Sequence, residues 1–363
     1  MSVPAQAGVV GLTVQNAKIG DGGSFTPASY DWIRFKAPRV TFGPIQGDQI
    51  FVPEVGGTIV PTGAYKDSLY VGGQADVIPR LERSFPLMLL AVMGNASSVT
   101  GKDADGTSVS GVNTHVINFS TVSDYDIPWL GVRVQIPGRT AGDVYGITGY
   151  DCKVSSLRLT IPAMGKIAAR VTMVGRNVLQ EEAPSFTWDN TYEDHQSAPD
   201  VGNGYVKIGG TEYPITGMVV DFNNSLTTPQ QEMVVGSFNP DDFVPLFRSM
   251  TIRFVYKWAD PDLYQRIYNG STSATDWNPN PLKIDTSGAT FAFEANFLSP
   301  GMITGSTPYA LRIRANRVVL QDTGPIELVA GSILQKEFVL TVLEPASGNY
   351  AQFLVTNGRT TVD

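Results

Sequence analysis

Few residues in this 363-residue chain have the chemistry of an active site. It holds two histidines, His115 and His195, and one cysteine, Cys152. The densest ionisable cluster is Glu193-Asp194-His195, the residue types that acid–base catalysis or a metal ion requires. No other histidine lies nearer to it than His115, and the cluster reads as a solvated loop. His115 falls at the start of an alternating strand, the ordinary place for a satisfied histidine. Cys152 sits among apolar neighbours and reads as a small buried hydrophobe without a catalytic partner. Asp103-Ala104-Asp105-Gly106 imitates the opening of a calcium loop. The twelfth position falls at Asn113-Thr114, where a bidentate Glu is required, so that reading fails. There is no Gly-x-x-x-x-Gly-Lys-Ser/Thr loop, and no Gly-x-Gly-x-x-Gly set between strand and helix. Asn95, Asn118 and Asn269 open glycosylation sequons that carry no weight without a secretory route. The expectation is a protein that is not an enzyme, with no catalytic, cofactor or metal residues.

Composition narrows the class further. Lys plus Arg number 26 against 34 Asp plus Glu, a net charge of −8, and charged residues are only 17% of the chain. An average soluble domain has about 25%. A lone cysteine rules out an internal disulfide framework and cysteine-rich zinc sites. The scattered cations form no basic stripe of the kind that neutralises phosphates. The opening Met1-Ser2-Val3-Pro4 has neither the cationic start nor the apolar core of a signal peptide, so folding in a cytoplasm is expected. The longest apolar run, Phe85 to Met93, is broken by Pro86 and too short to span a bilayer. Low charge suggests surfaces meant to be covered by partners.

The elements are mostly strands. Alternation of period two places His115, Ile117 and Phe119 on one face, then Leu130, Val132, Val134 and Ile136, then Ile167, Ala169, Val171 and Met173. Later runs are Met250 to Trp258, Phe291 to Phe297, and Phe338 to Val342. With 37 Gly and 24 Pro, the intervening turns are well supplied. Two short helices are expected. One is capped by Ser84, with Pro86 in its first turn and Gly94 past its end. The other is capped by Asp260, with Pro261 first and Gly270 as its stop.

A repeated irregularity links two segments. In Cys152 to Ile161 the apolar positions run 152 and 154, then slip phase to 157, 159 and 161. In Tyr213 to Phe222 they run 213 and 215, then 218, 220 and 222. One extra residue, a β-bulge at Ser155-Ser156 and at Thr216-Gly217, would produce this slip. The strands that follow, 167–174 and 250–258, correspond as well. The reading is two tandem domains of β-sandwich or barrel type, each with one short helix. A first domain spans 1–176 with an N-terminal extension, a linker 177–203, a second domain 204–345, and a C-terminal arm 346–363. Residues 223–249 form a long excursion whose apolar Met233, Val234, Val235, Phe243 and Phe247 are expected to dock on a neighbouring chain. Tyr350, Phe353 and Leu354 would carry an arm that pairs with a neighbouring subunit by strand addition.

Three stretches carry a family resemblance. They are Gly149 to Ile161 with Ile167 to Arg176, then Tyr205 to Leu226, then Met250 to Trp258 running into Asp260-Pro261-Asp262-Leu263-Tyr264. Together they resemble the tail tube, or major tail, proteins of long-tailed, siphovirus-type bacteriophages, over roughly residues 80–345. The resemblance implies a virion tail protein, assembled in the host bacterial cytoplasm, whose homo-oligomeric rings stack into a hollow tube. It also implies tail terminator, tape measure and tail-tip partners, with DNA passing through the lumen without specific binding and no membrane involved. If six domains close a ring and each chain carries two, three chains suffice; six chains per ring is the alternative. A net negative charge suits a conduit that must not hold a polyanion. The competing function is a carbohydrate-binding β-sandwich, a phage surface lectin, with Trp32, Trp129, Trp188, Trp258 and Trp277 as sugar-stacking platforms.

Overall fold

In the computed structural model the described residues are 8–20, 23–50, 57, 60, 63–119, 127–138, 140, 143–182, 193–263, 265, 290–322, 324, 326, 328–345 and 348–362. The first half contains β1 (Val9–Gln15), β2 (Ile33–Phe35), β3 (Arg39–Ile50), β4 (Ala64–Val77), helix α1 (Ser84–Met93), β5 (Gly94–Lys102), β6 (Ser108–Phe119), β7 (Trp129–Pro137), β8 (Val144–Ile161) and β9 (Ala168–Glu182). The second contains β10 (Asp200–Ile208), β11 (Thr211–Glu212), β12 (Ile215–Asn223), β13 (Ser249–Lys257), β14 (Thr290–Thr304), β15 (Thr307–Asp322), β16 (Gln335–Val342) and β17 (Ala351–Asn357). The protein is mainly β, and every pairing between named strands is antiparallel, as expected of a β-sandwich.

The long strands bend, and each serves two sheets. The first part of β8 pairs with β7 and with the end of β9, while its last residues pair with the start of β9 and with β12. The corner is built from local features. Asp151 takes φ +53°, and the pairing of β7 with β8 slips between 149 and 152. Gly175 faces Cys152 so closely that a Cβ there would lie 2.3 Å from Cys152 Sγ. Cys152 is buried among apolar side chains, as expected, and burial pushes its thiol far above the usual range.

The two expected phase slips are both present. Pairing of β8 with β9 shifts between Val154 and Ser156, and pairing of β12 with β13 shifts between Ile215 and Gly217. Ser155 Oγ donates to Thr172 O at 3.2 Å, and Thr216 Oγ1 donates to Val255 O at 3.3 Å, so each extra residue is tied to the strand opposite. The two bulged strands are neighbours, however, and Leu159 lies directly across from Val220. One sheet therefore runs β3–β4–β9–β8–β12–β13–β16–β15 across eight strands.

This order corrects the sequence alignment of the two segments. In the sheet, β12 stands where β3 stands four strands earlier, and β15 stands where β8 stands. Chain order agrees: in each half one strand pair (β3–β4, β12–β13) precedes helical residues and a second pair (β8–β9, β15–β16) follows them. Further strands repeat as well, since β1 flanks β7 as β10 flanks β14. A bulge marks a strand that turns a corner between sheets, so two strands can share one without occupying equivalent places.

Helix α1 is buried on almost every side and packs against β6 and β8. Gly94 ends it with φ +98°, a left-handed conformation that costs a side-chain-bearing residue more. Ser84 is its first helical residue rather than its cap. The cap is the Glu193 carboxylate, which accepts from Ser84 N at 2.8 Å and from Ser84 Oγ. At the far end Arg248 Nη2 donates to the carbonyls of Val92 at 2.8 Å and Met93 at 2.9 Å, satisfying orphan groups at the negative pole. Of the second expected helix, Asp262, Leu263 and Gln265 are helical; Tyr264 and residues 266–289 lie outside the described residues. The expected linker begins as the end of β9 and finishes as the start of β10, with 183–192 outside the described residues.

Candidate assembly interface

The Glu193-Asp194-His195 cluster breaks up into structural roles. Glu193 is buried as the helix cap, where burial raises its carboxyl pKa against the pull of three hydrogen bonds. Asp194 accepts from Gln196 N at 3.0 Å and caps a single turn, and His195 is exposed beside it. His115 is fully buried between Ser98 and Asn357, and burial lowers its pKa. Asp103 accepts from its own loop at Asp105 N and Thr107 N, at 3.0 and 2.9 Å. Among the described residues no group of three His, Cys, Asp or Glu side chains could hold a metal ion. None of the described tryptophans stands out from the surface: Trp32 and Trp129 are buried, and Trp258 packs against the core. Trp188 and Trp277 lie outside the described residues.

Surfaces are therefore the place to look, and the excursion 223–249 comes first. Its inner side docks on the first half of its own chain. Leu69 N of β4 donates to Phe238 O at 2.8 Å, extending the sheet where β9 has ended. Arg176 Nε donates to Pro240 O at 2.6 Å, and Lys153 Nζ meets Asp242 Oδ1 at 3.1 Å. Lys18 Nζ reaches Asp241 Oδ1 at 3.0 Å. Phe243 is wholly buried there, so it belongs to this chain's core and presents nothing to a neighbour.

The outer side differs. Val235 is fully exposed, Phe247 is 69% exposed and Val234 is 48% exposed, while Met233 is half-buried. Val244 and Leu246, within the apolar run from Phe243 to Phe247, are exposed as well, and so is Phe238, which sequence reasoning missed. Exposed apolar side chains gathered on one segment in this way are what an interaction site presents.

The C-terminal segment is not an arm. Strand β17 pairs with β15 on one edge and β6 on the other, so both of its hydrogen-bonding edges are occupied within the chain. Tyr350, Phe353 and Leu354 are buried, and Tyr350 Oη donates to Val342 O at 2.9 Å. Within the chain these three residues knit the second half to the first.

The free edges lie elsewhere. Among the described residues β3 pairs only with β4, and Leu320–Asp322 of β15 pair only with β16. These are the two ends of the eight-stranded sheet. Pro44 within β3 fits an edge, because proline cannot donate to a ladder.

No curated protein matches the chain. A family description does match, over residues 52–309 and so over more than half of the chain. That span takes in β4 to β14, the seam between β8 and β12, and the excursion. The match covers the greater part of this mainly β chain: the protein belongs to the phage tail tube protein family, and is a structural component of the virion tail.

Proposed function

We propose that the chain is the repeating subunit of a hollow tail tube, built of stacked rings, through which phage DNA leaves the particle. The observation that carries this reading is the seam between β8 and β12. There the last strand of one four-stranded unit pairs with the first strand of the next, and the second unit repeats the first in strand order. The end of β15 and the outer edge of β3 offer the same two roles at opposite ends of the chain. A second copy would add there, β15 of one chain beside β3 of the next, by the strand addition already used within the chain.

Such a head-to-tail contact makes a closed ring when the rotation closes. With two units per chain, a ring of six units takes three chains; six chains per ring is the alternative. The low charge of the chain and the exposed apolar excursion suit a subunit whose surface is covered in the assembly. Tail terminator, tape measure and tail-tip proteins are the partners this role implies, with assembly in the host cytoplasm before release. Averaged electron micrographs of concentrated protein, together with native mass, test the reading. Rings of three times the 39.1 kDa chain support it, six-chain rings would replace its stoichiometry, and protein that never forms rings or tubes would defeat it.

A further inference from the structure

One row of residues crosses the whole eight-stranded sheet on the face turned away from the core. From edge to edge it reads Arg39, Asp76, Arg170, Arg158, Asp221, Thr251, Thr341 and Val319, of which the last is covered. Its neighbours along each strand, Ala75, Ala169, Leu157, Val220, Ile252 and Leu340, are buried on the opposite face. The charges in the row are matched. Asp76 accepts from Arg170 Nε at 2.6 Å and from Arg170 Nη2 at 3.2 Å. Arg158 Nε lies 3.6 Å from Asp221 Oδ1, across the seam between the halves.

This face does not share the acidity of the chain. Further along the same face stand Lys66, Arg253, Lys257 and Glu337, so that among these described side chains cations outnumber carboxylates where the whole chain carries −8. The net negative charge is therefore displayed elsewhere, which revises the expectation that overall acidity keeps a polyanion off. Arg158 and Arg170 are half exposed, so they lie within reach of a phosphate backbone. Exposed ion pairs of this kind contribute little to folding, so stability gives Asp76 and Asp221 little reason to be there.

We propose that Asp76 and Asp221 mask Arg170 and Arg158, keeping this sheet face from binding duplex DNA. Its consequence for DNA passage rests on the tube reading above, whereas the masking itself is a property of the single chain. A guanidinium whose donors are held by a carboxylate offers no uncompensated charge for a phosphate to neutralise. Removing the carboxylate frees it, and each freed contact adds affinity that falls with salt.

The test is fluorescence anisotropy of a short labelled DNA duplex titrated with full-length, unassembled protein at low salt. The double variant Asp76→Asn, Asp221→Asn is expected to bind about tenfold or more tighter than the parent, with a steeper loss on adding salt. A control, Glu212→Gln with Glu344→Gln, removes the same charge away from this face and is expected to gain nothing. Adding Arg158→Gln and Arg170→Gln to the double variant should abolish the gain. If the double variant, folded by circular dichroism, binds no tighter, the proposal is overturned. It is equally overturned if the control gains as much, or if the gain survives loss of both arginines. Failure of the tube reading would appear separately, as absence of rings in micrographs, whatever the DNA titration returns.

Discussion

Arg176 Nη1 lies 3.3 Å from Asp151 Oδ2, and neither side chain is exposed to solvent. The pair is embedded in further bonds. Asp151 also accepts from Ile19 N at 2.8 Å and Gln15 Nε2 at 3.0 Å, while Arg176 holds the carbonyl of Pro240. One buried ion pair thus ties together the N-terminal strand, the bend of β8 and the excursion from the second half.

Breaking a buried pair from one side costs about 3–5 kcal/mol, and Asp241 Oδ1, 3.8 Å from Arg176 Nη2, retains part of the compensation, so the low end of that range is expected. Asp151→Asn keeps a side chain that tolerates the left-handed backbone but drops the charge. Urea unfolding should show a loss of that order. Limited proteolysis should then cut within the excursion faster than in the parent protein.

The excursion has two sides with opposite expectations. Val235→Asp alters a fully exposed position, so stability should move by no more than about 0.5 kcal/mol. Combined with Phe247→Asp it should nevertheless prevent ring or tube formation in negative stain. Phe243→Ala empties a buried site and should cost about 3–5 kcal/mol in thermal or urea unfolding.

Deleting residues 346–363 is expected to destroy the fold rather than yield rings that fail to stack. The deletion removes β17, exposing the edges of both β15 and β6 and opening the core around Phe353. Aggregated or unfolded protein should result, seen by circular dichroism and size exclusion. Soluble, folded rings from this truncation would contradict the placement of β17.

His115 gives the protein a dependence on pH. Asn357 Nδ2 donates to the carbonyls of Leu81 and Glu82, so Asn357 Oδ1 accepts from His115 Nε2, and Nδ1 accepts from Ser98. The neutral ring is thus satisfied, and burial lowers its pKa from the ordinary 6.5. The unfolded chain then binds the extra proton more readily than the fold does. Stability from this residue is complete above about pH 6.5 and falls as pH drops below it towards the folded value. His115→Gln should flatten that part of the curve in unfolding measurements across pH 5–7.

Much of this protein was legible as local pattern. Alternation placed the buried faces of β9, β13, β14 and β16, and a phase slip marked Ser155 and Thr216 as bulges before any pairing was known. Gly94 announced the end of α1 through the one conformation it alone adopts cheaply.

Pairing was not legible, because a strand's alternation records which face is buried and says nothing about which strand lies beside it. Hence Cys152–Ile161 and Tyr213–Phe222 looked like copies of one place in the fold, whereas the sheet makes them neighbours with Leu159 opposite Val220. Phe243 and Val235 look alike in sequence, yet docking of the excursion on Arg176 and Lys153 buries one and leaves the other in solvent. Phe353 and Leu354 read as a loose apolar arm until β6, more than 230 residues earlier in the chain, supplies their second hydrogen-bonding edge. Residue chemistry alone determined that this is a low-charge, mainly β protein. Only long-range strand pairing decided which edges are spent inside the chain and which remain for another, since edge occupancy depends on partners brought from far away in sequence.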